Sequence, residues 1–210
     1  MFERVAFQLL QGEFICQVSH PETFEFMCDE DNLRSLEVFF SKINRRVVRT
    51  SKQSGFYLVF ASYGEHERSE IRAQYTDIKN SLAPVVSFFT LVMRATGQED
   101  ILMHGAAIEV DTLMGKIDQD ISLRNELQSI GARYKTYISD GTQRKLLDSI
   151  LKRLVGEGYL KLANPERAIY QVTSKMEYLL DVIKFIHEND ETLKVGDEQD
   201  ETTGETGSLL

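Results

Sequence analysis

Residues 141–188 carry the strongest structural pattern in this chain: GTQRKLLDSILKRLVGEGYLKLANPERAIYQVTSKMEYLLDVIKFIHE. Gly156 and Gly158 interrupt a helical repeat, and Pro165 lies in a tight turn between two short strands over 159–163 and 168–173. One buried helix face is predicted ahead of the glycines, because apolar residues recur there at helical spacing: Leu146, Leu147, Ile150, Leu151, Leu154 and Val155.

A second helix follows the hairpin. Ser174 and Glu177 have the spacing of a capping box, in which each side chain bonds the backbone N–H of the other residue. The core face of this helix is predicted at Met176, Leu179, Leu180, Ile183 and Ile186. Helix, hairpin and helix in this order are typical of the second half of a winged helix, a fold that binds DNA or proteins and seldom carries chemistry itself.

The first part of the chain repeats this order. A helix near Val5, a short strand over 14–18, a helix after Asp29 and strands over 46–50 and 56–61 lead to a long helical pattern over 65–81. The helix after Asp29 is expected to bury Leu33, Leu36, Phe39, Phe40 and Ile43.

The elements needed before residue 141 in the second unit are also present. A helix from Pro84 to Gly97, a strand over 107–110, a helix capped by Asp111 and a helical segment over 123–130 supply them. We therefore predict an α+β, mostly helical protein with tandem winged-helix domains over 1–82 and 83–188. Two unrelated mixed helix–strand pieces are the alternative.

Charge is unevenly distributed along the 210 residues. The net charge is −9, but residues 188–210 contain eight acidic side chains and one lysine, which leaves −2 for residues 1–187. Acidic, Gly- and Thr-rich sequence of this kind buries too little apolar surface to offset its ordering entropy. Residues 189–210 are therefore predicted to be a disordered acidic tail, and the acidic pI gives no argument against nucleic-acid binding.

Cations cluster in the first predicted hairpin. No acidic residue lies between Glu37 and Glu65, whereas this interval contains Lys42, Arg45, Arg46, Arg49 and Lys52, which we call the basic hairpin. Such local charge favours sequence-independent contact with DNA phosphates, although charges that protect an edge strand from aggregation are an equal alternative. A second basic group gives a weaker DNA prediction: Arg144, Lys145, Lys152, Arg153, Lys161 and Arg167.

The segment VVSFFTLVM (85–93) is apolar around almost the whole circumference of a helix. Such a helix lies either in the centre of a core or against another subunit. Phe88, Phe89, Leu91 and Val92 are therefore candidate partner-interface residues.

Signals for catalysis are weak. The four histidines have no metal-ligand spacing, and Asp118 and Asp120 have the pattern of turn residues more than of a metal pair. No phosphate-binding glycine loop is present. We expect no catalytic residue, metal or cofactor, reduced Cys16 and Cys28, no membrane span, and a cytoplasmic, nucleoid-associated protein.

Taken together, the chain resembles the MksE family, the small non-SMC subunits of bacterial MksBEF condensins, and more distantly MukE and the corresponding Wadjet subunits. Four stretches carry the resemblance: INRRVVRT (43–50), SFFTLVMRATG (87–97), DQDISLRNEL (118–127) and ANPERAIYQVT (163–173). The resemblance implies a homodimer that binds an MksF-like kleisin and, through it, an MksB-like SMC ATPase. It also implies help in holding DNA, for chromosome segregation or plasmid defence. A winged-helix transcription regulator is the alternative.

Overall fold

The computed structural model of this chain describes residues 1–62, 64, 82–135 and 142–201, with the backbone alone for 189–201. The fold is α+β and mostly helical, as predicted, with two small antiparallel sheets. The helix predicted over 65–81 and most of the loop before residue 142 lie outside the described residues. The described residues form two hydrophobic clusters. One lies in an N-terminal lobe, before residue 63, and the other in a C-terminal lobe, from residue 82.

The N-terminal lobe packs three helices against one sheet. Its elements are α1 (Phe2–Leu10), β1 (Ile15–Cys16), α2 (Pro21–Cys28), α3 (Glu30–Ser41), β2 (Arg45–Arg49) and β3 (Gly55–Phe60). The sheet has the order β1-β3-β2, so β2 is an edge strand. The core is formed by Val5, Ala6, Leu9, Ile15, Met27, Leu36, Phe40, Val47 and Phe56.

Helix α2 is an element that the sequence analysis missed. It is only eight residues long and buries only Thr23 and Met27, which is too few positions to produce a helical repeat in the sequence. Asp29 separates it from α3 and caps the latter, since its carboxylate accepts hydrogen bonds from the N–H groups of Asp31 and Asn32. The acidic first turn therefore predicted the start of α3 correctly.

The C-terminal lobe repeats the arrangement with more helices. Its elements are a helix over 82–96 (α4), β4 (Ala107–Glu109), α5 (Val110–Gln119), α6 (Ile121–Arg133), α7 (Gln143–Gly156), β5 (Leu160–Asn164), β6 (Ile169–Val172) and α8 (Lys175–Glu201). The sheet order is β4-β6-β5. As in the first sheet, the strand that comes last in the sequence lies in the middle.

The helix, hairpin and helix predicted for residues 141–188 are present over the described residues 142–188. Leu147, Ile150, Leu151 and Leu154 of α7 are fully buried, and Gly158 adopts a φ of +80°, a conformation that glycine reaches without steric cost. Strands β5 and β6 pair antiparallel, with an irregular register between Leu162 and Asn164.

Two helix ends differ from the predictions. Asp111 does not cap α5; it lies one residue inside the helix, where its carboxylate pairs with Arg144. Helix α8 continues to Glu201, so the predicted disorder of residues 189–210 is not confirmed for 189–201, and 202–210 lie outside the described residues. Glutamate, lysine and leucine in this segment have good helix propensity, which lets the helix extend beyond the core.

Candidate interaction surfaces and the seam between the lobes

The basic hairpin does not present its cations on one surface. Because side chains alternate along a strand, Arg45 and Arg49 lie on the same face of β2 as the buried Val47, and Arg46 points to the opposite face. The Arg45 guanidinium lies 3.4 Å from the Phe60 ring centroid and that of Arg49 lies 4.6 Å from the Phe56 centroid. These two arginines therefore cover the ends of the core as well as contributing charge.

The two basic groups differ in how many of their cations form ion pairs with carboxylates. In the described part of the chain, no carboxylate lies within 4 Å of the charged nitrogens of Lys42, Arg46, Arg49 or Lys52. In the second group, by contrast, three arginines are paired: Arg144 with Asp111 and Asp148, Arg153 with Glu157, and Arg167 with Glu109. The side chains of Lys145 and Lys152 are exposed on α7. The basic hairpin is therefore the less neutralised of the two candidate DNA surfaces.

The charge of Lys161 acts on a histidine of the other lobe. Burial lowers the pKa of His20 in the N-terminal lobe, Glu13 raises it, and the positive charge of Lys161 lowers it again. The Lys161 side chain is solvent-exposed on β5.

The four predicted partner-interface residues lie in the core instead. Phe88, Phe89, Leu91 and Val92 are at most 2% exposed and pack with the other residues of the C-terminal cluster. Of the two explanations for an all-round apolar helix, a central position in the core is the one that the structure shows. These side chains have no free surface for a second protein, so we do not place an interface there.

A different apolar surface is exposed. Two adjacent helices, α1 and α3, contact each other through the edge-on rings of Phe2 and Phe39, whose centroids are 5.7 Å apart. Phe39 and Ile43 were expected in the core, but they are exposed, because α3 buries fewer of its apolar side chains than the sequence pattern predicts. We call the exposed side chains of these helices and of the turn after α3 the α1–α3 patch: Phe7 (61%), Leu10 (51%), Val38 (56%), Phe39 (39%) and Ile43 (47%).

Glu177 joins the two lobes instead of forming the predicted capping box. Its carboxylate is 2% exposed and accepts hydrogen bonds from the Ser54 hydroxyl at 2.6 Å and from the Lys52 backbone N–H at 3.3 Å. Both donors belong to the turn between β2 and β3. The Ser174 hydroxyl is fully buried and has no hydrogen-bond partner among the described residues, whereas the Thr173 hydroxyl accepts a bond from the Lys175 N–H.

We call the contact region between the two lobes the seam, and its side chains are closely packed. A Cβ atom added to Gly55 would lie 2.1 Å from the Ser174 hydroxyl oxygen and 2.6 Å from Ser174 Cβ, so only glycine fits at this position. The Phe14 ring stacks on Tyr57, with 4.9 Å between centroids, and both rings contact Tyr178 of α8 at 5.2 Å. The seam therefore combines steric, aromatic and charged contacts.

A thiol lies at the inner end of the seam. Cys16 is fully buried on β1, while Cys28 is exposed, and both are free cysteines. Burial raises the pKa of the Cys16 thiol, but hydrogen bonds from His104, Ser19 and the Ser174 backbone outweigh this effect and lower the pKa from 9.0 to about 6. The same bond raises the pKa of His104, against the opposing effect of burial. His104 belongs to the C-terminal lobe, so this pair also crosses the seam.

The sequence contained no signal for this cluster. Ser54 and Glu177 are 123 positions apart, and each residue is ordinary in its own segment. In the described part of the chain, this cluster included, no group of three or more His, Cys, Asp or Glu side chains is placed to hold a metal ion. Asp120 caps α6 through the Ser122 N–H, which agrees with its interpretation as a turn residue.

The described helices include none that is both long enough and apolar enough to cross a bilayer. Three surface features of the described residues stand out: a basic strand, an exposed apolar patch and a tightly packed seam. Residues 1–183 match the family model described as condensin complex protein MksE. The chain belongs to this family and is a subunit of the condensin-like type. A search of curated proteins found no match.

Proposed function

We propose that this protein is a non-catalytic subunit of a bacterial condensin-like SMC complex that dimerises, binds the kleisin subunit and contacts DNA without sequence specificity. The observation that carries the proposal is the family match, because it covers both lobes and ends within α8. Chromosome segregation or plasmid defence is the process in which such a complex would act, at the nucleoid in the cytoplasm.

We also propose that each lobe is a winged helix, with domains over 1–82 and 83–188. Two observations support this reading. Each lobe has a helix, a strand, further helices (two in the first lobe and three in the second) and then a hairpin, and in each sheet the first strand pairs with the last. Each lobe also has its own hydrophobic cluster.

The α1–α3 patch is the surface that we assign to the second copy of the chain. Of the eleven large apolar side chains that are exposed in the described residues, five belong to this patch and Met1 adjoins it in sequence. Groups of exposed apolar side chains mark protein–protein contact sites more often than isolated ones do. A two-fold interface needs only one such surface, since the same patch serves both subunits.

DNA contact is assigned to the basic hairpin because four of its cations form no ion pair among the described residues: Lys42, Arg46, Arg49 and Lys52. Phosphate contacts by such cations give affinity without reading sequence. The transcription-regulator alternative is less well supported. Helix α3 carries Glu30, Asp31 and Glu37, which repel phosphate, and the arginines of α7 are tied to carboxylates.

Dimerisation is tested by light scattering on Phe39→Asp, with Phe185→Asp as the control because Phe185 is exposed outside the patch. We expect wild type and Phe185→Asp to be dimers and Phe39→Asp to be a monomer with unchanged helical signal. Co-purification with the cognate kleisin tests the partner. Monomeric wild-type protein that does not bind the kleisin would contradict the proposed function.

The DNA surface is tested with the double variant Lys42→Gln/Arg46→Gln, whose side chains form neither ion pairs nor ring contacts among the described residues. Each lost phosphate contact lowers the slope of log K against log salt by about 0.9, so we expect a decrease of about 2. Lys116→Gln, an exposed lysine on α5, is the matched control. Equal slopes for all three proteins would remove the basic hairpin from DNA binding.

A further inference from the structure

The seam has the parts of a conformational device that the proposed function does not use. We propose that the two lobes are closed by a latch, in which Glu177 holds the β2–β3 turn, and that opening this latch exposes Cys16 to disulfide exchange, which then holds the lobes apart. This inference concerns the chain alone and does not depend on DNA, kleisin or dimer contacts.

The latch consists of two hydrogen bonds, and their loss favours separation of the two lobes. Glu177 is the first-turn carboxylate of α8, and its two acceptor bonds are to the turn that includes Lys52 and Ser54. Removal of a partner from a buried carboxylate leaves an unsatisfied charge, which is costly in the closed state and relieved by water in the open state. Loss of this contact therefore favours opening.

The seam opens as a unit because its contacts interlock. Ser174 lies against Gly55 with no space for a methyl group, and Tyr178 contacts the rings of Phe14 and Tyr57. A small movement of the first turn of α8 therefore separates all of these pairs together. Packed interfaces of this kind have discrete arrangements and do not deform gradually.

Cys16 is shielded only while the latch is closed. Its Sγ atom lies 3.2 Å from the Ser19 hydroxyl and 3.3 Å from the Ser19 backbone nitrogen, on the N-terminal side of the seam. The groups that face it from the C-terminal side are His104 and the Ser174 backbone N–H, with Glu177 close to His104. Separation of the lobes removes this cover and leaves Cys16 on β1 open to solvent.

The chemical step is ordinary disulfide exchange with a low-molecular-weight disulfide. The Cys16 thiol releases its proton to water, and the thiolate attacks one sulfur atom of the reagent. The S–S bond of the reagent breaks, a mixed disulfide forms at Cys16, and the other half leaves as a thiolate. Because Cys16 has no exposed surface in the closed form, the added group does not fit and the seam cannot close again.

The experiment compares the two cysteines in the same molecule. Full-length protein is treated with a chromogenic aromatic disulfide, and peptide mass mapping assigns each reacted thiol. We expect Cys28, which is exposed, to react at once and Cys16 to react slowly. Ser54→Ala and Glu177→Gln should accelerate the reaction of Cys16 at least about tenfold, since each weakens a hydrogen bond to a charged group. Glu188→Gln, an exposed carboxamide replacement on the same helix, should leave both rates unchanged.

A second readout tests whether modification holds the lobes apart. In Cys28→Ser protein, reaction of Cys16 should increase the Stokes radius, and a reducing agent should restore it. Two results would overturn the proposal: a Cys16 rate equal to that of Cys28 in wild type, or a Cys16 rate that is the same in wild type, Ser54→Ala and Glu177→Gln. An unchanged Stokes radius after complete reaction would overturn the open state.

Discussion

Gly55 is the position where a single methyl group should reveal how closely the lobes are packed. In Gly55→Ala the new Cβ would meet Ser174 at 2.1 Å from its hydroxyl oxygen and 2.6 Å from its Cβ, and the Ile15 carbonyl oxygen at 3.1 Å. Rotation of the serine hydroxyl can relieve only the first contact. The Cβ contact requires movement of the backbone at the start of α8, and this movement disturbs the whole seam.

The magnitude follows from two opposing terms. Overpacking of this kind costs about 1–3 kcal/mol, while alanine restricts the unfolded chain and returns about 0.4–1 kcal/mol. The free energy of unfolding should therefore fall by up to roughly 2.6 kcal/mol, since the first term is the larger. For a chain of this length, about 1 kcal/mol corresponds to roughly 2–4 °C in Tm.

A double-mutant cycle with Ser174→Gly isolates the contact. Glycine at 174 removes both clashing atoms and breaks no side-chain hydrogen bond, because the Ser174 hydroxyl has no partner among the described residues, so Gly55→Ala/Ser174→Gly should recover most of the lost stability. Thermal unfolding followed by circular dichroism measures all four proteins. Gly115→Ala is the control, because open space surrounds that position in α5 and alanine should stabilise the helix. Additive effects of the two substitutions, within about 0.5 kcal/mol, would refute the steric argument.

Three further predictions concern other parts of the chain. Leu151→Ala should lower the free energy of unfolding by about 2–5 kcal/mol in a denaturant titration, because it leaves a cavity in the core, whereas Ile121→Ala at an exposed site should change it by less than about 0.5 kcal/mol. Asp120→Ala should cost about 1 kcal/mol through loss of the α6 cap, while Asp118→Ala, which removes no cap, should be nearly neutral; equal effects would contradict the capping assignment. The ultraviolet absorbance of the Cys16 thiolate, taken as the difference between wild type and Cys16→Ser, should titrate near pH 6, and a midpoint near 9 would exclude the hydrogen-bonded thiolate.

The local elements of this protein were well predicted because their signals are local. The apolar repeat of α7, the glycines after it and the strands of both hairpins depend on residues close in sequence. Helix α2 was missed because eight residues with two buried side chains give no repeat. The surface predictions were less successful. The apolar stripe after Asp29 was assigned to the core as a whole, yet Phe39 and Ile43 are partly exposed, and Phe88 was offered to a partner yet is buried.

Local patterns in the sequence were sufficient to determine most of the described helices, the two hairpins, the concentration of acidic residues near the C-terminus and the likeness to the MksE family. Only the tertiary structure decided which apolar side chains remain exposed, which arginines are neutralised, and that Glu177 joins the lobes instead of capping its own helix. The physical reason is that hydrogen bonding along the backbone depends on near neighbours. Burial and ion pairing depend instead on residues that meet only after the chain has folded, such as Ser54 and Glu177.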